Sequence, residues 1–139
     1  MRKVLMAGLL IAAFGLGAVY AETWEQFRRR AETMTRNVHV GINRGNQDTW
    51  SIDKWGALLA TYDWLEFAYR TIYRNAPNLT ADQRRIYGNL YRRNALQLQE
   101  VVRLNGIVFR GNSNAISRVV DRWYHWRGHL HNGGTITFN

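Results

Sequence analysis

The chain has 139 residues, 19 basic and ten acidic side chains, a formal charge of +9 and no cysteine. The missing cysteines exclude disulfide staples, thiolate metal sites and covalently attached haem. The residues beyond the N-terminal leader suffice for one domain with a core of its own.

That leader opens Met1-Arg2-Lys3, runs uncharged from Val4 to Gly17 and closes on Val19-Tyr20-Ala21. A charged start, an apolar run and small residues before a cut are the parts of a secretory signal peptide. The sequence therefore predicts three parts: a signal peptide over 1–21 cleaved after Ala21, a helical bundle over 22–134 and a tail over 135–139. A retained anchor is the alternative, because roughly 17 apolar residues is the lower limit for spanning a bilayer. The expected location is the periplasm or the exterior. A cysteine-free helical domain suits a bacterial periplasm, where the Asn78-Leu79-Thr80 sequon would be a coincidence. Two of the 19 basic residues precede position 22, which leaves 17 against ten acidic ones and a charge of +7. Lys54 is the only lysine after the leader, so the remaining positive charge is arginine. Arginine's planar fork suits fixed contacts to carboxylates and phosphates; a GC-rich genome would give the same bias with no functional reason.

Past the leader, the first helix is predicted from about Glu22 to Asn43. There Trp24, Phe27, Ala31, Met34, Val38 and Ile42 recur every three or four residues. On its other face, Glu25 with Arg29 and Glu32 with Arg36 are i,i+4 pairs in the favourable order. A loop at 44–48 leads to a second helix starting near Ser51 and ending before Asn75-Ala76-Pro77, with one broad apolar stripe from Ile52 to Tyr73. The third opens with Thr80-Ala81-Asp82-Gln83, which fits a capping box, and is expected to stop at Asn105-Gly106. Residues 107–111 read as a short apolar connector over the end of the bundle. A fourth helix follows from near Ser113 to Asn132-Gly133-Gly134, with Ile116, Val119, Val120, Trp123, Trp126 and Leu130 on its stripe. The tail from Thr135 to Asn139 alternates like a short strand. Four amphipathic helices of about 20 residues joined by short loops predict an all-α, antiparallel up-down four-helix bundle about 30 Å long.

Residues that break these patterns are the candidate sites. Helical phase puts Glu66 in the middle of the second stripe, Asn94 near the centre of the third and Arg127 on the core side of the fourth. A Glu66–Arg127–Asn94 network would be either a polar layer that fixes helix register or a ligand pocket inside the bundle. Trp64 and Phe67 fall off the second stripe and read as exposed aromatics on a basic exterior, unless a broad core or a flanking loop through Trp50 or Phe109 covers them. With Arg70, Arg74 and Arg122 they form the expected partner-binding set, since aromatics and arginine dominate interface hot spots. His125 and His129 stand at the i,i+4 spacing that lets two imidazoles share a metal. Both lie opposite the apolar stripe beside Arg122 and Arg127, with no glutamate as in H-E-x-x-H, so a surface histidine cluster is the stronger reading.

A leader followed by four helices of this size resembles the periplasmic cytochrome c′ and cytochrome b562 class of bundles, in architecture alone. In the last helix Trp123-Tyr124-His125-Trp126-Arg127 stands where the c-type members carry C-x-x-C-H. The resemblance to the b-type arrangement would implicate Met34 and His125 as axial ligands of a non-covalent haem. Paired Glu-x-x-His sites, Gly-rich phosphate loops and the G-x-S-x-G elbow are all missing from the sequence. The function expected is therefore a non-catalytic exported binding protein, an accessory subunit, assembly factor or adaptor that grips an acidic protein or complex. An anionic membrane surface and a ligand or b-haem inside the bundle are the alternatives; export makes nucleic acid a poor partner.

Overall fold

The computed structural model describes residues 22–139; the leader and its cleavage site lie outside the described residues. The described residues form four α-helices and no strand, consistent with a four-helix bundle: α1 over Trp24–Asn43, α2 over Ile52–Asn75, α3 over Ala81–Val108 and α4 over Ser113–His131. A single 3₁₀ turn, Gln47–Thr49, sits between α1 and α2. None of the four is long and apolar enough to cross a membrane.

Each of the four begins at a residue whose side chain accepts a backbone N–H that the helix cannot pair itself. Thr80 Oγ1 accepts from Gln83 N at 3.0 Å while Gln83 Oε1 accepts from Thr80 N at 2.9 Å, the predicted capping box. Thr23 and Gln26 form a second such box at the head of α1. Ser51 caps α2 and Asn112 caps α4. At the far ends, Pro77 forces Ala76 into extended backbone and stops α2, and Gly133 closes α4 in the left-handed region at φ 93°. Only the end of α3 departs from expectation. The helix runs past Asn105-Gly106 to Val108, and the left-handed residue that ends it is Gly111, at φ 77°. The first two residues of the supposed connector are thus helix and the other three a turn, and Ile107 is 46% exposed, although Phe109 does pack on Trp55.

α2 is the hub. The other three helices each pack on it, α3 and α4 most extensively. Eight consecutive residues from Trp55 to Tyr62 are buried, so the apolar surface wraps the helix instead of forming one stripe. Tyr73 faces Gly88, Tyr62 bonds Gln97 and Trp55 meets Phe109, so α2 and α3 run in opposite senses. On another side Gly56 lets α4 come close. A Cβ there would sit 2.8 Å from the backbone nitrogen of Trp123, an approach only glycine permits.

The tail packs against α1 as an extended strap, with Ile136 and Phe138 buried and Thr135 and Thr137 exposed. Asn37 donates to the Ile136 carbonyl at 2.7 Å, Ile136 N donates to the sulfur of Met34, and Phe138 fills the space above Gly41. The alternation read from the sequence is real; the partner is a helix rather than another strand.

Candidate functional site on α4

The sequence from Arg122 to Arg127 reads Arg-Trp-Tyr-His-Trp-Arg, so that Arg-Trp at one end is mirrored by Trp-Arg at the other. On a helix this places an arginine and a tryptophan four residues apart twice, Arg122 with Trp126 and Trp123 with Arg127. α2 supplies one aspartate to each pair. Asp53 Oδ1 accepts Arg122 Nε at 2.7 Å and the Trp126 indole N–H at 2.9 Å. Asp63 Oδ2 accepts the Trp123 indole N–H at 3.0 Å and faces Arg127 Nε at 3.6 Å. These two clasps hold α4 to α2 and fix the direction in which its outer side chains point. Partial burial alone would raise the Asp53 carboxyl, but the hydrogen bonds from Trp126 and Arg122 outweigh it and hold the group below the ordinary carboxylate value.

On the outer face, Tyr124 is 60% exposed. Its ring stacks on Trp123, with centroids 6.3 Å apart, and the Arg127 guanidinium lies 6.0 Å from its centre. His125 and His129 are exposed and meet the Trp126 ring edge-on, at 5.3 and 5.6 Å. His129 also bonds the Thr135 carbonyl at 2.9 Å, which ties the strap to α4. No group of three or more metal-ligating side chains occurs among the described residues. Arg118 adds an exposed cation and Asp121 an exposed carboxylate to the same helix.

The site residues expected from the sequence fare differently. Trp64 is not exposed. It is 0% accessible, packed edge-on by Phe27 at 5.7 Å and covered by the Arg30 guanidinium 4.4 Å from its ring. The helical projection failed there because α1 covers a second face of α2, through Phe27 and Arg30. Phe67 is half-buried under His131, whose ring lies 4.7 Å away, and burial, helped by nearby Arg127, pushes the His131 imidazole below its ordinary value.

The inward network is not formed either. Glu66 pairs along its own helix with Arg70 at 3.4 Å, Arg127 goes to Asp63, and Asn94 donates to the Leu90 carbonyl at 2.8 Å. A neighbour one helical turn away or on the facing helix captures each group before the three can meet. Arg70 is thus committed to Glu66 and Arg122 to Asp53, while Arg74 is exposed at the end of α2. Of the two i,i+4 pairs expected on α1, Glu25–Arg29 forms at 3.0 Å, whereas Arg36 bonds Thr33 instead. As for the residues a b-type haem would use, Met34 is 0% accessible with its sulfur accepting Ile136 N at 3.2 Å, and His125 is exposed beside Trp126. As placed, they do not make an axial pair.

Two features are not apparent from the sequence alone. The aspartate clasps are legible in principle from the repeated Arg/Trp spacing, but only contact with α2 reveals the acceptors. The other is Arg30, whose Nη1 donates to the carbonyls of Leu130 at 2.7 Å and Gly134 at 3.1 Å, while Nη2 reaches Glu22 at 2.7 Å. The guanidinium thus sits at the C-terminal end of α4, where it shares the Leu130 carbonyl with Gly133 N and also takes the Gly134 carbonyl of the strap.

The described residues are all-helical, and α4 presents an aromatic and basic outer face. The chain matches no family model, and no curated protein or solved structure is significantly similar to it.

Proposed function

We propose that this is an exported, non-catalytic binding protein of up-down bundle topology that docks an acidic protein partner onto the outer face of α4. The observation that carries the reading is Tyr124, an exposed aromatic held between Trp123 and Arg127 on a helix clasped twice to the core. A pre-oriented aromatic beside guanidinium groups is the side-chain combination enriched in interface hot spots, because little conformational entropy is lost on docking. The +7 charge after the leader favours acidic partners and speeds encounter. Of the set expected from the sequence, Trp64, Phe67, Arg70, Arg74 and Arg122, only Arg122 belongs to this reading, where Arg118 and Arg127 join it.

Tyr124→Ala removes the exposed ring and its contacts with Trp123 and Arg127, but none of the hydrogen bonds to Asp53 and Asp63. Its stability is expected to stay within about 0.5 kcal/mol of the parent. Retention of the native partner is expected to fall at least about tenfold, the loss of a modest hot spot. Undiminished partner capture by a correctly folded Tyr124→Ala protein would move the interface off this face.

A further inference from the structure

α1 and α3 both lie on α2 but share little direct packing, and side chains bridge the seam between them. At one end Arg28 Nε donates to the Tyr87 hydroxyl at 2.9 Å, and farther along Thr35 and Tyr69 share a hydrogen bond of 2.7 Å. Beyond Tyr69 the seam opens into a cleft of about 150 Å³ with Tyr62 in its floor. We propose that this cleft binds a small organic carboxylate whose apolar body is about the size of a benzene ring.

The apolar part follows from the walls. Val38 and Ile42 come from α1 and Leu90 from α3, and a cleft of about 150 Å³ with these three apolar walls has room for a benzene-sized group. The anionic part follows from the polar rim, where Arg93 and His39 stand and no aspartate or glutamate lines the cleft. Arg93 enters none of the ion pairs among the described residues, unlike Arg29, Arg70, Arg85 and Arg103, each of which has a carboxylate within one turn. Asn94, only 6% exposed, spends one amide hydrogen on Leu90 and has a second to give. The Tyr62 phenol is hydrogen-bonded to Gln97, and burial raises it, which keeps it a neutral hydroxyl. A carboxylate seated here would take the Arg93 fork at the mouth and the Asn94 amide inside, with its body between Val38, Ile42 and Leu90. The larger cleft of about 310 Å³ under the strap gives no such direction, because Asp53 and Lys54 both line it and it favours neither sign of charge.

This site shares no residue with the α4 face and stands or falls separately from the partner-binding reading. The test is an NMR titration of the purified, ¹⁵N-labelled protein with sodium benzoate, and with benzamide at matched ionic strength. Saturable shifts confined to the backbone of 35–42 and 90–97, with benzamide at least about tenfold weaker, are expected for a site that reads the carboxylate. Arg93→Ala, which removes an exposed side chain, should weaken benzoate by about the same factor, and Arg103→Ala should leave it unchanged. Equal affinity for the amide, shifts centred elsewhere, or no saturation by benzoate would each overturn the proposal, and the comparison of the two probes needs no variant.

Discussion

Replacing Arg30 with alanine attacks the point where three parts of the chain converge. The side chains of Arg30 and Glu22 are 9% and 4% accessible, and the same guanidinium serves the last turn of α4 through Leu130 and the strap through Gly134. It also covers the Trp64 ring at 4.4 Å, a cation–π contact desolvated by burial. Removing one member of a buried pair costs about 3–5 kcal/mol, mainly because the other charge stays desolvated. For a domain of this size that corresponds to a fall in Tm of roughly 10–20 °C. Urea unfolding followed by far-ultraviolet circular dichroism should be run on the parent, Arg30→Ala, Glu22→Ala and the double variant. The two residues share one interaction, so the double variant should lose less than the sum of the singles by more than about 0.5 kcal/mol. An Arg30→Ala loss below about 1 kcal/mol, or strict additivity, would refute a buried, coupled node.

Two pH effects arise from the groups whose ionisation the fold displaces. Asp53 is held below its ordinary value, so its contribution is complete above about pH 4 and is lost as pH falls through the lower folded value. Asp53→Asn should flatten the stability profile between about pH 5 and 2 by that share; an unchanged acid slope would detach Asp53 from the clasp. His131 is also lowered, first by burial, so as pH falls below about 7 the unfolded chain takes the proton before the folded one and stability declines. His131→Gln should remove that decline between about pH 7 and 5. If the variant loses stability on acidification as steeply as the parent, another group is responsible.

Helix existence and most boundaries are legible in the sequence because caps and breakers are local. Thr80 with Gln83, Ser51, Pro77 and Gly133 all act within a turn of where they stand. The relations among helices are not. Assigning α2 a single stripe presumes that one face is covered, whereas its run from Trp55 to Tyr62 is buried on every side, and this is why the pattern puts Trp64 at the surface. Helical phase likewise brings Glu66, Asn94 and Arg127 to a common interior. It contains no information on which nearby group, Arg70, Leu90 or Asp63, claims each one first. The strap is visible as alternation, but its contacts with Met34 and Asn37 span about a hundred residues. The outer face of α4 is legible only in part, because the helical pattern singles out neither Tyr124 nor Arg118. His125 and His129 lie on the solvent side as their helical phase predicts, and Arg122, expected at the surface, borders the same face.

The central claim is that this basic helical protein works by holding an acidic partner against α4. The most direct measurement is a native capture from the periplasmic fraction, comparing the parent with Tyr124→Ala at low and high salt and identifying whatever co-purifies. A stoichiometric acidic protein that is released by salt and is lost from Tyr124→Ala is the predicted result. Capture that is indifferent to both salt and Tyr124, or the absence of any stoichiometric protein from the parent, would contradict it.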